Sequence, residues 1–394
     1  MIVDMNNGFD NRRAAPSLRL RKYLLNMLWL LFIPAALLSA LLAENNPAFV
    51  EDVYSTKVFP VAATLLPFQY LLPFSFFELL LFAGPVVLLV FFIRFILRLV
   101  RVKEDRLWRV LRLIQRVLII LGVCMFLFYF LWGYNYFRQP YGEIAGLPVA
   151  PSAKGELYML CQELVKETNE ARGRLPSKDG GALALEPTVS ELQDMGRLAY
   201  EKALEDGLAG IIPVKGYAKP LVSSRLFSYA GVTGVYFPWT GESNFNNDIP
   251  EPSKGSTVCH EIAHRQGFAR EDEANYIAYL VCSNSDDGYL RYSGYFLALE
   301  HAMKRLYEAD RESYIKLRAL YSEGVDADVK AKNAYWKLLE GPVEERVTQM
   351  NDDYLRAQGQ DDGVHSYGRM VDLMLAQKRQ GDSIVVANEQ VTLG

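Results

Sequence analysis

Cysteine is scarce in this chain, which has four cysteines among 394 residues. No two of them have the close spacing of a cysteine-based zinc site, so a site of that kind is excluded. Cys259 and Cys282 could form a bridge if the compartment is oxidising. Two buried free thiols are the simpler alternative, because free cysteine behaves as a small apolar residue.

Features that recognise nucleotides and nucleic acids are also missing. The chain has no glycine-rich loop of the kind that cradles phosphate groups and no internal repeat. The net charge of −4 combines a basic first third with a more acidic remainder. No basic patch with interleaved aromatic residues occurs in that remainder, so we expect no nucleic-acid partner.

Long apolar runs, in contrast, dominate the first 137 residues. Three stretches, at about 23–43, 72–93 and 117–137, are long enough to cross about 30 Å of hydrocarbon as helices. Prolines break the apolar segment before the second stretch, so residues 58–71 are expected to form an interfacial or re-entrant piece. A signal peptide is the alternative for the first stretch, but that run is longer than a signal core and further apolar segments follow it. The sequence therefore predicts a three-span anchor over residues 23–137.

Lysine and arginine set the expected orientation of this anchor. Five basic residues lie in 1–22 and eight in 94–116, whereas the loop between the first two spans has only Lys57. By the positive-inside rule, the two basic segments are cytoplasmic. We therefore expect a multi-pass protein of the bacterial cytoplasmic membrane, with residues 138–394 outside the cytoplasm. Glu78 is expected to be hydrated at the outer interface, with a functional buried carboxylate as the alternative.

The chain has only four histidines, and two of them lie in the segment His260-Glu261-Ile262-Ala263-His264. In a helix, a step of four residues puts both imidazoles on one face, where they can share a metal ion. Glu261 lies on the flank of that face, and a carboxylate there can take a proton from an attacking water. An amphipathic helix with surface or packed histidines is the alternative. The motif predicts a Zn²⁺ cofactor and hydrolytic chemistry.

A second helix is expected to supply the third ligand. Gly267 can end the motif helix, and the apolar pattern predicts a helix from about Arg270 to Cys282. A short turn makes the two helices antiparallel neighbours. Glu273, in the first turn of the second helix, can then turn back toward the imidazoles.

The order His260-Glu261-x-x-His264 and then Glu273-Ala274-Asn275 resembles the gluzincin metallopeptidases, in particular the ImmA/IrrE-like peptidases. The whole chain is also similar to an uncharacterised bacterial family of membrane-anchored HExxH proteins. The segments that carry this second likeness are 234–238, 241–244, 291–295 and 366–369. The resemblance implies that His260, His264 and Glu273 are the ligands and that Glu261 is the base. The separation of His264 from Glu273 is shorter than in the long-spaced gluzincins, so Glu271 and Asp272 are possible substitutes.

Residues 138–394 are expected to form a mainly α domain with a small sheet near 221–237. An exposed strand edge there could bind an extended peptide, with Asn244 and Asn246 belonging to it. A polar turn is the alternative for these two asparagines.

A donor for the oxyanion is also needed for peptide hydrolysis. Tyr292 and Arg369 are our choices, by residue type and by the family likeness. Tyr295, His365 and Tyr367 are further candidates of the same kind. His301 is most simply a histidine on the face of an amphipathic helix.

Together these patterns predict a membrane-tethered zinc metallopeptidase that hydrolyses protein or peptide substrates at the outer face of the membrane. Two alternatives are a noncatalytic metal-binding sensor and a cell-wall peptide amidase that uses the same site. The presence of Glu261 favours a hydrolase, because a purely structural zinc site needs no base.

Overall fold

The computed structural model of the chain describes residues 16–66, 72–214, 216–360, 363 and 369–392. In this part of the chain, helices predominate and three short strands form a small sheet. Three apolar helices in the amino-terminal region are long enough to cross a membrane, so the predicted fold class is confirmed. The chain divides into two units, which are Met1–Asn46 with Leu81–Tyr134, and Pro47–Leu80 with Asn135–Gly394.

Apolar helices build the first unit. The candidate membrane spans are Leu20–Glu44, Phe76–Arg101 and Arg106–Leu131. The first of them consists of helices Pro16–Met27 and Phe32–Glu44, joined by a 3-10 turn over Leu28–Leu31. Small residues allow close packing here, because a Cβ added to Gly122 would lie only 2.7 Å from Cγ1 of Ile33. Packing of this kind is typical of helices that associate in lipid.

The third span differs from its predicted position. It runs from Arg106 to Leu131, whereas hydropathy places it at about 117–137. Arginine is a good helix former, so the basic stretch before residue 117 continues the same helix although it lowers the local hydropathy. The chain then leaves the helix, and Gly133–Phe137 forms a 3-10 turn.

The second unit contains most of the remaining elements. The longer helices are Lys154–Gly173, Val189–Glu205, Glu251–Arg265, Glu271–Ser283, Gly288–Ala309, Arg311–Arg318, Glu323–Lys337, Pro342–Ala357 and Met370–Thr392. The shorter ones are Pro47–Phe49, the π-helix Val50–Val58, Phe59–Leu65, Tyr141–Ile144 and Ser224–Tyr229. Their apolar faces form one core, whose centre includes the helices Glu251–Arg265 and Glu271–Ser283.

Residues 47–66 and 72–80 pack with the carboxyl-terminal part of the chain. Arg138 forms a buried ion pair with Glu51, with Nε 2.7 Å from Oε2. Arg265 donates a hydrogen bond of 3.3 Å to the carbonyl oxygen of Ala63. The boundary predicted at Arg138 therefore leaves out a segment of this unit. Residues 67–71 of the predicted interfacial piece lie outside the described residues.

The sheet has the strand order β1, β3, β2, where β1 is Lys219–Pro220, β2 is Gly234–Phe237 and β3 is Glu242–Phe245. β3 is parallel to β1 and antiparallel to β2, with Gly234 opposite Phe245. Asn244 is buried on the central strand and donates to the carbonyl oxygen of Val235. Asn246 is also buried, so the prediction that these two asparagines lie at an exposed edge is wrong. The strand at the sheet edge nearest the motif is β2.

A buried carboxylate caps the start of the helix Phe76–Arg101. Glu242 accepts hydrogen bonds from the backbone amides of Phe76, at 3.0 Å, and Phe77, at 3.1 Å. Its partner is Lys219, at 2.7 Å, and both side chains are fully buried. A negative charge at this end of a helix is favourable because the first amides have no partner within the helix.

Glu78, in the first turn of the same helix, is buried as well. Its carboxylate accepts hydrogen bonds from the backbone amides of Val222, at 2.7 Å, and Ser223, at 2.8 Å. The prediction that Glu78 is hydrated is therefore wrong. Its donors come from a turn far away in the sequence, which hydropathy cannot reveal.

Candidate metal centre

The motif lies on the helix Glu251–Arg265, which we call the motif helix. Pro252 stands in its first turn, where its missing amide hydrogen costs no helical hydrogen bond. The helix ends at Arg265, and Gly267 stops it from continuing, with a φ of 86° in the left-handed region that favours glycine. The second helix begins only four residues after Gly267, at Glu271. This short turn brings the start of the second helix next to the two histidines.

Three side chains converge between these helices. The Nε2 atoms of His260 and His264 are 3.1 Å apart, and Oε2 of Glu271 lies 3.2 Å from the first and 3.6 Å from the second. Ligand atoms at ~2.0–2.1 Å from a tetrahedral zinc are roughly 3.3 Å apart. The spacing of these three atoms therefore fits a zinc ion with room for one further ligand.

The orientation of His264 is fixed by its other ring nitrogen. Nδ1 lies 2.7 Å from the carbonyl oxygen of Phe268, which can only accept, so Nδ1 carries the proton. Nε2 is therefore the nitrogen that faces His260 and Glu271. Metal-binding histidines are usually oriented in this way by a hydrogen bond on the far nitrogen.

The three groups together stabilise positive charge. Burial by itself lowers the pKa of His264, but the charge and hydrogen bond of Glu271 outweigh it and raise the pKa to about 9. Burial also lowers the pKa of His260. Burial by itself raises the pKa of Glu271, but the neighbouring His264 and His260 outweigh this effect and lower the pKa. A cation is thus the chemical group that this cluster suits.

Glu261 lies beside this cluster without joining it. Its side chain is buried, with 3% of the residue exposed, and Oε2 has no hydrogen-bond partner among the described residues. Burial and the charge of Glu271 raise the pKa of Glu261 to about 8, against the lowering effect of His264. Glu251, Asp272 and Glu273 also have one buried carboxylate oxygen each without a partner among the described residues. At Glu261, next to the histidines, such an acceptor is available to a reacting group.

Gly234 on β2 makes room for this carboxylate. A Cβ at position 234 would lie 2.5 Å from Cδ of Glu261, which is closer than real Cβ contacts allow. Gly234 lies in one of the segments that carry the family likeness, but no spacing in the sequence connects it with Glu261. Tyr236, two residues further along β2, has its ring centroid 6.4 Å from that of His264.

We predict that Gly234→Ala displaces the carboxylate of Glu261. Overpacking of this kind also costs about 1–3 kcal/mol of stability. Gly155→Ala is the matched control, because no atom lies within 4 Å of a Cβ at that helical position. Thermal unfolding should be measured on both variants, and equal unfolding temperatures would contradict a close contact at Gly234.

The prediction that Glu273 turns back toward the imidazoles is wrong. Its Oε1 accepts hydrogen bonds from the backbone amide of Tyr141, at 2.8 Å, and from Nη1 of Arg270, at 2.9 Å. Successive helical residues are about 100° apart, so positions 271 and 273 differ by about 200° around the axis. Only one of them can face the histidines, and the crossing of the two helices selects Glu271.

Tyr292 and Arg369 are not part of this cluster either. Tyr292 donates a hydrogen bond of 2.6 Å to Oδ2 of Asp328, which also pairs with the buried Arg172 at 2.6 Å. Tyr292 therefore belongs to an internal ion-pair network, and the structure does not bring it into the group formed by His260, His264 and Glu271. Nε of Arg369 lies 3.3 Å from Oδ2 of Asp272, so this arginine contacts the residue that follows Glu271.

The other candidates are placed as follows. His365 and Tyr367 lie outside the described residues. Tyr295 packs its ring against Tyr279, with centroids 6.3 Å apart. Burial and the charges of Lys332, Lys304 and His260 lower the pKa of His301 to about 4. Cys259 and Cys282 are both buried free thiols, as the simpler alternative predicts.

No curated protein and no solved structure matches this chain. A family model described as a protein of unknown function (DUF3810) matches residues 54–375. This match covers most of the chain, including the motif helix and most of the second unit. It provides no link to a HExxH metallopeptidase family, so the resemblance to gluzincins rests on the motif alone. The chain belongs to the DUF3810 family.

Proposed function

We propose that this protein is a membrane-associated, zinc-dependent hydrolase of peptide bonds. The single observation that carries the proposal is the convergence of His260, His264 and Glu271 beside the unpartnered carboxylate oxygen of Glu261. Two imidazoles and one carboxylate are the ligand set of several zinc hydrolases, which keep the fourth position for water or substrate. The donor set and its spacing support zinc in this role.

In the proposed reaction, the chain supplies three metal ligands and one general base. Zinc, when bound, would act as a Lewis acid and bring the pKa of water toward ~7. His260, His264 and Glu271 hold the ion, and the carbonyl oxygen of Phe268 keeps His264 in the required tautomer. The Glu261 carboxylate takes the proton of the attacking water and passes it to the leaving amine. A nearby dication opposes the effect of burial on Glu261 and favours its charged form.

The test is metal-dependent hydrolysis by the purified full-length chain. We expect about one zinc per chain and cleavage of members of a peptide library. A chelator should abolish this cleavage, and added zinc should restore it. The His264→Ala variant, purified in the same way, is the control for a contaminating peptidase. Full zinc occupancy without cleavage would contradict the hydrolase and favour metal sensing, while cleavage that survives His264→Ala would assign the activity to a contaminant.

We also propose that the second unit faces the outside of the cytoplasmic membrane. The three apolar helices fit a membrane association. Residues 47–66 and 72–75 belong to the same unit as residues 135–214 and 216–360, so they lie on the same side of any membrane that the chain crosses. The scarcity of basic residues in 44–71 supports the outer side.

This topology predicts opposite labelling of two exposed positions. In a Cys124→Ala background, a membrane-impermeant maleimide should label Asp286→Cys in intact cells. Lys103→Cys, between the second and third spans, should be labelled only after the cells are made permeable. The reverse pattern would place the candidate metal centre in the cytoplasm.

A further inference from the structure

The second unit has exposed apolar side chains close to the point where the chain enters the helix Phe76–Arg101. We call these residues the collar, and they are Val61, Leu65, Phe74, Val222, Leu226 and Trp239. Val222 is 85% exposed, Leu65 is 73% exposed, and the other four are between 37% and 59% exposed. Large apolar side chains that share a surface region mark an interaction site more often than isolated ones do.

Specific contacts place the collar around the start of that helix. Val222 donates its backbone amide to Glu78, in the first turn. The ring of Phe77 packs against Phe237, with centroids 5.0 Å apart, and Phe237 packs against Trp239 at 5.1 Å. The carbonyl oxygen of Phe74 accepts a hydrogen bond from Lys219 at 3.2 Å.

Val61 and Leu65 are joined to the same region through Gly241. They lie four residues apart on the helix Phe59–Leu65, so they share a face. A Cβ at Gly241 would lie 3.5 Å from Cβ of Leu66. Gly241 precedes Glu242, the residue that caps the helix start.

Charge is nearly absent from this surface. The segments that carry the collar are 59–66, 72–80, 219–227 and 237–242, and they contain four charged residues. Three of these four are buried. Lys219 and Glu242 form an ion pair with each other, and Glu78 accepts hydrogen bonds from two backbone amides. Only Arg225 is exposed, and it pairs with Asp248. A water-exposed surface of this extent would ordinarily carry several free charges.

We propose that the collar inserts into the outer interfacial layer of the lipid bilayer. The bilayer is the expected partner because the collar surrounds the first turn of the helix Phe76–Arg101, which is a 26-residue candidate span. The mean hydropathy of this span is 2.6 in its most apolar window. Tryptophan and phenylalanine with aliphatic neighbours are the side chains that favour this layer. The proposal depends on the membrane crossing of that helix and not on hydrolysis.

The collar also determines how far the candidate metal centre lies from the membrane surface. β2 contacts Glu261 at Gly234 and contacts Phe77 at Phe237. These two ends are three residues apart, which is about 10 Å along a strand. A collar in the interface therefore holds the base of the proposed site close to the membrane surface.

The test uses the full-length chain in phosphatidylcholine and phosphatidylglycerol nanodiscs. In a Cys124→Ala background, single cysteines replace Leu226, Leu65 or, as the control, Ile315. Leu226 and Ile315 are matched, since both are 59% exposed, and Ile315 lies on the helix Arg311–Arg318, away from the collar segments. Each cysteine is labelled with an environment-sensitive nitrobenzoxadiazole dye. Lipids with a nitroxide in the upper acyl chain then act as quenchers.

We expect several-fold stronger lipid quenching at Leu226→Cys and Leu65→Cys than at Ile315→Cys, together with a blue shift. Equal, weak lipid quenching at all three positions with equal quenching by aqueous iodide would place the collar in water and overturn the proposal. Protection of Leu226→Cys from both quenchers would mean that a protein surface or a second copy covers it, which also overturns the proposal. Because the dyes sit at exposed positions and no cleavage is measured, an inactive metal centre does not affect this result.

Discussion

Replacing Glu261 by glutamine is expected to lower turnover by about 10²–10⁴-fold, the contribution that a positioned general base makes. The carboxamide has nearly the same shape as the carboxylate but cannot accept the proton. Glu261 is not a member of the group formed by His260, His264 and Glu271, so zinc content should be unchanged. The measurement is paired, with zinc stoichiometry and the rate on one susceptible peptide determined for both proteins.

Glu273→Gln is the matched control for this substitution. It changes another buried glutamate, two residues into the neighbouring helix, whose partners are Tyr141 and Arg270. Turnover per folded, zinc-loaded molecule should stay close to that of the unmodified chain. An equal rate for Glu261→Gln would remove Glu261 from catalysis, and loss of zinc in that variant would mean that it is a ligand.

The sequence was sufficient for the parts of this molecule that depend on local spacing. The four-residue step from His260 to His264 puts both imidazoles on one helical face, and the structure brings their Nε2 atoms within 3.1 Å. Gly267 ends the helix through a left-handed conformation, as its type and position predict. Apolar runs long enough to cross a membrane are likewise a property of composition.

Properties that depend on tertiary packing were not predictable in this way. The sequence offers Glu271, Asp272 and Glu273 within one turn, and only the crossing of the two helices decides which of them faces the histidines. Residues 58–66 are apolar enough to suggest an interfacial piece, yet Arg265 binds this segment to the second unit through the carbonyl oxygen of Ala63. The close approach of Gly234 to Glu261 depends on the position of β2, which no spacing in the chain reveals.

Tyr292 illustrates why residue type is a weak guide to catalytic function. The chain has 23 tyrosines, and a tyrosine hydroxyl can serve equally well as an oxyanion donor or as a partner for a buried carboxylate. In the fold, Oδ2 of Asp328 accepts hydrogen bonds from both Arg172 and Tyr292, because a carboxylate oxygen can accept more than one. Leu183 donates its backbone amide to the second oxygen. The network accounts for the buried position of Tyr292 without any catalytic function.

The second large effect is expected when the third proposed zinc ligand is removed. Glu271→Ala is expected to reduce zinc affinity by more than the roughly 10–100-fold that loss of an outer-shell partner costs, since it removes a donor atom. The two imidazoles would be left without the carboxylate that lies 3.2 Å and 3.6 Å from them. Zinc affinity should be measured by competition with a chelating dye, on the full-length chain.

Glu273→Ala is expected to behave in the opposite way. It should retain the affinity for zinc. Its free energy of unfolding should fall by about 1–3 kcal/mol, because Arg270 and the amide of Tyr141 lose their buried acceptor. Asp272→Ala, which removes the partner of Arg369, should also retain the affinity. The two adjacent carboxylates thus control for general effects of charge removal at the start of this helix. If Glu273→Ala lost zinc while Glu271→Ala kept it, the second helix would have to rotate by about half a turn in the metal-bound protein, and the ligand set inferred from the present geometry would be wrong.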